Sequence, residues 1–232
     1  MWLTAEFTTS IQGLSEKSSL HDQILPKGVA SRHVPVSRDT SATTQAASLE
    51  HALGGPEAMA NQVGTTAHAS LLAAQMLHMR DTKPDAWAQT SRVVLASAFI
   101  SSIMTGKISP FAEAEAAATG LYSAPNERWD EGVLRIIAGS EKELDRVKSM
   151  LGSIERNGAK PVGQISPYFS TKYGLDAGER FFGMILQVLT SPRYLNLPVY
   201  VRVPGIISVA CPELCRLCCR IWRHRYTAQP GY

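Results

Sequence analysis

Glycine and proline punctuate this chain so regularly that no element can run for long. Gly54-Gly55-Pro56 ends one helical segment and opens another, Gly64 closes the second, Pro84 restarts the chain and Gly106 stops the next segment. Ser109-Pro110, Ser166-Pro167 and Gly174 repeat the device. Glycine takes up the left-handed residue that follows a helix, and proline fits a first helical turn whose N–H has no acceptor. Between these marks apolar residues recur at helical spacing. Ala46, Leu49, Ala52 and Leu53 form one stripe from Thr43, and Leu72, Met76 and Met79 form another, with Thr65 or Thr66 as its cap. Leu95, Phe99 and Ile103 lie on one line of the most apolar segment, residues 91–105. Residues 112–118 favour helix through Ala and Glu but bring no large side chain to bury. Trp129, Val133, Ile136 and Ile137 mark a further amphipathic helix, and Ser140 with Glu143 has capping-box spacing ahead of Leu144, Val147 and Leu151. Residues 162–165 read as a strand. Residues 1–43, rich in Ser and Thr, read as loop with one short helix near 20–25. The expectation is a body of short helices with few strands and no internal repeat.

That pattern excludes coiled coils and membrane spans. The most apolar run, residues 197–209, is broken by Pro198, Arg202, Pro204 and Gly205 and is too short to cross a bilayer. With 232 residues, 44% hydrophobic and 19% charged, the chain has the makings of a globular core. Its net charge of +3 is local: residues 193–232 hold six Arg and one Glu, a balance of +5, which leaves the first 192 residues slightly acidic. Cys211, Cys215, Cys218 and Cys219 lie in the same stretch. Nothing there resembles a distributed disulfide framework, residues 1–28 contain no apolar signal core, and the reading is a cytoplasmic protein.

Spacing alone names no chemistry. Gly54-Gly55 is followed by Pro56 and Glu57, which suit a helix-to-helix turn and not a phosphate cradle. Cys215-x-x-Cys218 is half a zinc site that His224, Cys211 or Cys219 would have to complete, and without a second pair the thiols read as structural. His21, His33, His51, His68, His78 and His224 pair with no nucleophile in sequence, and no metal site is expected. Arg216, Arg220, Arg223 and Arg225, interleaved with Trp222 and Tyr226, form a basic tail. The acidic body does not continue that patch, so neither nucleic acid nor membrane is expected as a partner; a protein partner would engage the tail.

The order of short motifs resembles a family. Residues 35–45, Pro-Val-Ser-Arg-Asp-Thr-Ser-Ala-Thr-Thr-Gln, followed by Leu49-Glu50 and Gly54-Gly55, resemble the Pro-Val-Trp-Met-Asp-Ser-Ser-Thr-Thr-x-Gln segment of eukaryotic xylulose kinases. Gly64, Ala67, His68 and Gln75 match the family's Gly-Ser-Arg-Ala-His-x-Arg-Phe-Thr-Gly-x-Gln-Ile segment. Pro84-Asp85-Ala86-Trp87 with Thr90, Arg92, Val93, Leu95 and Phe99 continues the register, as do Gly106, Ser109-Pro110 and Trp129. Residues 162–169, Val-Gly-Gln-Ile-Ser-Pro-Tyr-Phe, then Lys172-Tyr173-Gly174, are the closest single match. Over about residues 35–178 the chain resembles the FGGY carbohydrate kinases, in partial and diverged form.

The resemblance implies an α/β fold: the helix-rich part of a ribonuclease-H-like N-terminal lobe of the actin and hexokinase type, incomplete. It implies a poorly structured segment over 1–34, a partial sugar-binding lobe over 35–180, and an irregular tail over 193–232. The family reaction is ATP-dependent phosphorylation of D-xylulose to D-xylulose 5-phosphate, with an Asp general base and Mg²⁺. The sugar-side positions it indicates are Asp39, Gln75 and Ser70, which stands where the family has its sugar-binding Arg; the other family Arg of that segment falls on Thr66. The family's Ser-Asp-x-Ser-Gly-Met-Asn becomes residues 114–120, Ala-Glu-Ala-Ala-Ala-Thr-Gly, and its Gly-Asp-Asn with the catalytic Asp becomes Phe181-Phe182-Gly183-Met184. The first phosphate-contacting strand and the Gln-His-Gly motif would precede residue 1, and the ATP lobe would come after the Gly-Asp-Asn position and is missing. ATP and Mg²⁺ are therefore family cofactors with no evident site here, no catalytic residue is assigned, and the chain is expected to be inactive alone. A scaffold protein derived from such a lobe is the alternative. The Lys-free, Cys-rich tail has the composition that an intron or a shifted frame would encode.

Overall fold

A computed structural model describes residues 1–36, 38–157, 160–176 and 180–182, together with the backbone of Tyr200–Val201 and Val209–Ala210. The helices are α1 Glu6–Gln12, α2 Leu20–Gly28, α3 Thr43–Ala52, α4 Pro56–Val63, α5 Leu72–Thr82, α6 Pro84–Gln89, α7 Ala96–Thr105, α8 Glu113–Ala117, α9 Glu131–Ala138, α10 Glu141–Leu151 and α11 Pro167–Tyr173. The strands between them are short, and the longest, Pro161–Gln164, has four residues. The result is helix-rich and mixed α/β, as expected.

The chain divides into two compact units. One gathers Met1–Val34, Val94–Ser109 and the residues from 158 on; the other holds Pro35–Val93 and Pro110–Asn157.

The first unit is built on α7, buried from Ser97 through Thr105. That burial takes in Ser97, Ser101, Ser102 and Thr105 beside the apolar residues, and the Ser102 and Thr105 hydroxyls donate to the carbonyls of Ala98 and Ser101 at 2.6 and 2.8 Å. Leu3, Phe7, Ile11, Leu20 and Ile24 share its core with Val94, Phe99, Ile103, Ile165, Tyr168 and Phe169. Phe7 stacks on Phe99 at 5.5 Å, and Tyr168 meets Phe169 edge to face at 5.0 Å. Pro161–Gln164 pairs antiparallel with Arg180–Phe182, with an irregularity between Pro161 and Gly163. A Cβ on Gly163 would stand 3.0 Å from Thr105 Cβ, so glycine lets this strand lie close to α7.

The second unit packs α3 against α4, α5 and α9, and α10 against α9. Phe111–Ala112 runs parallel to Ile154–Glu155, and Tyr122–Ser123 forms an antiparallel ladder with Arg128–Trp129. Trp129 presents its ring edge-on to Phe111 at 5.2 Å and to Tyr122 at 6.4 Å. Asp130 caps α9: its Oδ1 accepts from Val133 N at 3.0 Å and from Gln62 Nε2 at 2.6 Å.

Several local expectations are corrected. Residues 1–34 are not poorly structured. They carry two helices whose apolar residues come in single pairs, Phe7 with Ile11 and Leu20 with Ile24, too few to show as a periodic stripe. Helix α2 runs through Pro26 to Gly28, past the expected end. Thr65 and Thr66 do not open α5, which starts at Leu72. Residues 92–93 form a strand ahead of α7, and Trp129 belongs to a strand and not to α9. The capping box at Ser140 does not form: the Ser140 side chain makes no cap bond, and Glu143 pairs with Arg146 at 3.1 Å. In the tail, Tyr200–Val201 and Val209–Ala210 pair antiparallel. The tail's cysteines, His224 and the arginine cluster, with the zinc and basic-patch readings, lie outside the described residues.

Candidate functional site

Residues 64–71 connect α4 to α5 and carry Ser70, with Gln75 just beyond them in α5. Gly64, at φ 76°, ends α4, and the following residues cannot resume a helix because their polar groups are engaged elsewhere. Glu50, near the end of α3, accepts from Ala67 N through Oε2 at 3.0 Å. Gln75, 4% exposed in the first turn of α5, donates through Nε2 to Ala69 O at 2.7 Å. His68 Nδ1 and Ser70 Oγ lie 2.9 Å apart, and Leu71 N donates to His68 O at 3.1 Å. The turn is fixed from both sides, with His68 exposed at its tip and Ser70 half-buried.

The turn also meets the stretch that stands in place of the family's Ser-Asp-x-Ser-Gly-Met-Asn. Ala73 N donates to Thr119 O at 3.1 Å. Thr119 is 2% exposed, and its Oγ1 accepts from Leu121 N at 3.2 Å. Gly120, at φ 71°, follows it, and a Cβ there would come within 3.2 Å of Leu71. Left-handed backbone and close approach both call for glycine at this point. Beyond it, Tyr122 donates its hydroxyl to Glu113, and that carboxylate raises the phenol above its ordinary range. Glu115 is buried at 6% exposure.

Asp39 is 6% exposed, at the turn leading into α3. Its N–H donates to Val36 O at 2.9 Å, and its Oδ1 accepts from Ser41 N at 2.8 Å, an Asx turn that starts the approach to the helix. Asp39 and Gln75 thus both support backbone, while Ser70 meets the exposed imidazole of His68. Glu50 is the functional neighbour that reading by residue type passes over. Its only sequence signal is its place in the Leu49-Glu50 pair.

No family model matches the chain. A xylulose kinase of Schizosaccharomyces pombe is 32% identical over 165 residues, 71% of this chain and 29% of that protein. A probable D-xylulose kinase A of Arthroderma otae is 31% identical over 161 residues, 69% of this chain and 27% of that protein. The chain is a partial, diverged relative of the xylulose kinases. It spans less than a third of the length of the curated relatives it matches. Among solved structures, a ligand-bound xylulose kinase from Lactobacillus acidophilus superposes with a TM-score of 0.55 at 18% identity, covering 71% of this chain and 30% of that one. A gluconate kinase from the same organism gives 0.55 and 18%, covering 70% and 30%. The fold is that of part of an FGGY sugar-kinase lobe, the ribonuclease-H-like architecture that the motif order implies.

The sugar-kinase relatives imply ATP and Mg²⁺ as cofactors. Among the described residues no group of three or more His, Cys, Asp or Glu side chains is placed to hold a metal ion. Glu113 is engaged with Tyr122, and Glu131 with Lys148 at 2.9 Å. Among the described residues no helix is long and apolar enough to cross a membrane.

Proposed function

We propose that this chain binds a pentulose, D-xylulose by family, at the 64–75 turn and does not phosphorylate it alone. The observation that carries the reading is the Ala73 to Thr119 hydrogen bond, which holds the turn bearing Ser70, and the start of α5 with Gln75, beside residues 114–120, the stretch that stands where the family has Ser-Asp-x-Ser-Gly-Met-Asn. Ser70 has a hydroxyl where the family has a guanidinium. A hydroxyl offers one donor and no charge, whereas Arg offers a rigid fork of donors. Binding through Ser70 is therefore weak and directed at a neutral polyol. With Phe181-Phe182-Gly183-Met184 where the family has its catalytic Asp, the general base is lost, which costs about 10² to 10⁴ in rate.

The test has two arms on the purified chain. In a coupled ADP assay with ATP, Mg²⁺ and D-xylulose, turnover matches the no-protein blank; turnover well above it would sink the inactivity claim. In equilibrium titration, D-xylulose binds in the millimolar range, and Ser70→Arg tightens it. Binding that ignores the Ser70 side chain would place the sugar elsewhere.

A further inference from the structure

Glu50 occupies a junction that no turn chemistry requires. It sits in the last turn of α3, half-buried, and serves two neighbours at once. Its backbone carbonyl accepts from Gly55 N at 2.9 Å, closing the Gly54-Gly55 turn that leads into α4. Its carboxylate reaches across α4 to accept from Ala67 N at 3.0 Å. A carboxylate accepting a backbone N–H makes a charge-assisted bond, stronger than one between neutral groups. The connection has few other anchors: Gly64 supplies freedom to bend, and His68 and Ser70 bond mainly to each other. Gln75 fixes Ala69 from the α5 side, so Ala67 and Ala69 are held by separate side chains on separate helices.

We infer that Glu50 is a positioning residue for the candidate sugar site: its carboxylate sets the conformation in which the 67–70 turn presents His68 and Ser70. This rests on the sugar-binding reading above. Glu50 touches no part of the turn's exposed tip and acts through Ala67. Removing the carboxylate leaves the Glu50 carbonyl and its bond to Gly55 in place, so α3 and the entry to α4 keep their backbone bonding. A Gln at the same position retains one acceptor oxygen at the same reach and loses only the charge.

The experiment is amide hydrogen exchange on the full chain, read at residues 64–71, with D-xylulose titrated into the same variants. Glu50→Ala is expected to speed Ala67 exchange at least tenfold and to raise the D-xylulose Kd about tenfold, the ratio that losing one charge-assisted bond of roughly 1.4 kcal/mol gives. Exchange within α3 and the urea midpoint are expected to stay near the parent values. Glu50→Gln is expected to restore most of the Ala67 protection and most of the affinity, whereas Glu50→Met, of similar size but with no acceptor oxygen, is expected to restore neither; rescue by Met in both readouts would show a packing role and overturn the inference. Unchanged Ala67 exchange in Glu50→Ala overturns the inference, and so does faster exchange with an unchanged Kd. If the parent chain binds no D-xylulose while Ala67 is protected through Glu50, the functional reading falls, and the exchange data decide the positioning contact by themselves.

Discussion

Gly152 is a position where backbone conformation and close packing both call for glycine. It follows α10 at φ 69°, ψ −154°, a region that side chains rarely enter. A Cβ there would lie 1.8 Å from Arg92 Nη1, and that atom is held in place by its own bond to Ser149 O at 2.9 Å. Burial pulls the Arg92 guanidinium below its ordinary range. The Gly152 carbonyl also accepts from Trp129 Nε1 at 2.7 Å. Gly152→Ala is therefore expected to cost about 3 kcal/mol in urea unfolding, from strain and overpacking together. Gly174 shares φ 69° but lies at ψ 23°, in the ordinary left-handed region, and nothing lies within 4 Å of its missing Cβ. Gly174→Ala is expected to cost about 1 kcal/mol, that of left-handed backbone alone; equal costs at the two sites would show that neither the ψ of Gly152 nor its Arg92 contact adds anything. Both positions are glycines on the page, yet only Gly174 reads as a helix stop from local sequence. The demand on Gly152 comes from Arg92, sixty residues away, and no local rule could announce it. The candidate site divides in the same way: Gln75 and Ser70 are visible as positions in a motif, whereas Glu50 becomes visible only once Ala67 is seen beside it.

At the scale of elements, two arginines close helix ends from outside. Arg80, on α5, donates through Nη1 to Ile136 O at 3.0 Å and to Ile137 O at 2.7 Å, covering the last carbonyls of α9. Arg146, on α10, donates through Nη2 to Trp87 O at 2.6 Å and lies 5.5 Å over the Trp87 ring, at the end of α6. Unpaired carbonyls and the negative pole of the helix dipole both favour a cation there. Arg80→Ala is expected to lower stability by about 2 kcal/mol, the scale of a charged hydrogen bond left unmade. Arg80→Lys is expected to recover under half of that, since an ammonium cannot reproduce the guanidinium's forked donors. Calorimetric unfolding of the three proteins measures both numbers, and full recovery by Lys would reduce the role of Arg80 to charge. Helix ends marked by Gly64, Gly106 and Gly174 were legible because a left-handed glycine is a local device. Caps supplied by Arg80 and Arg146 join residues more than fifty positions apart and leave no local trace. The start of α5 escaped for the same reason: Thr65 and Thr66 have the right chemistry for a cap, but Glu50 and Gln75 hold the intervening backbone out of the helix.

For the molecule as a whole, the first residue is part of the load. Met1 N donates to Val94 O at 2.7 Å, and Val94 N returns a bond to Met1 O at 3.1 Å, beside the core helix α7. The ammonium is enclosed, and burial lowers its pKa from 8.0 to about 5. Charge on that nitrogen is thus more costly folded than unfolded. Between about pH 5 and pH 8 the unfolded chain binds the proton and the folded chain does not, so stability rises with pH across that window and flattens on either side. The slope from this one group approaches about 1.4 kcal/mol per pH unit at mid-window, a few kcal/mol in all. Carboxylates act in a separate range. Glu6, whose charge is favoured by backbone N–H and Thr4 hydrogen bonds, and Glu131, favoured by Lys148, are both lowered, so their contributions are lost only as pH falls below the ordinary carboxylate value. Urea unfolding from pH 5.5 to 8.5 is expected to show a rising midpoint, and NMR titration of the Met1 amine to give a midpoint near 5 in the folded chain. A flat stability profile, or an amine that titrates at its ordinary value in the native state, would mean that Met1 is hydrated and that Val94 does not hold it. The residues involved are ninety-three positions apart, so this coupling is a property of the folded chain and of no segment within it.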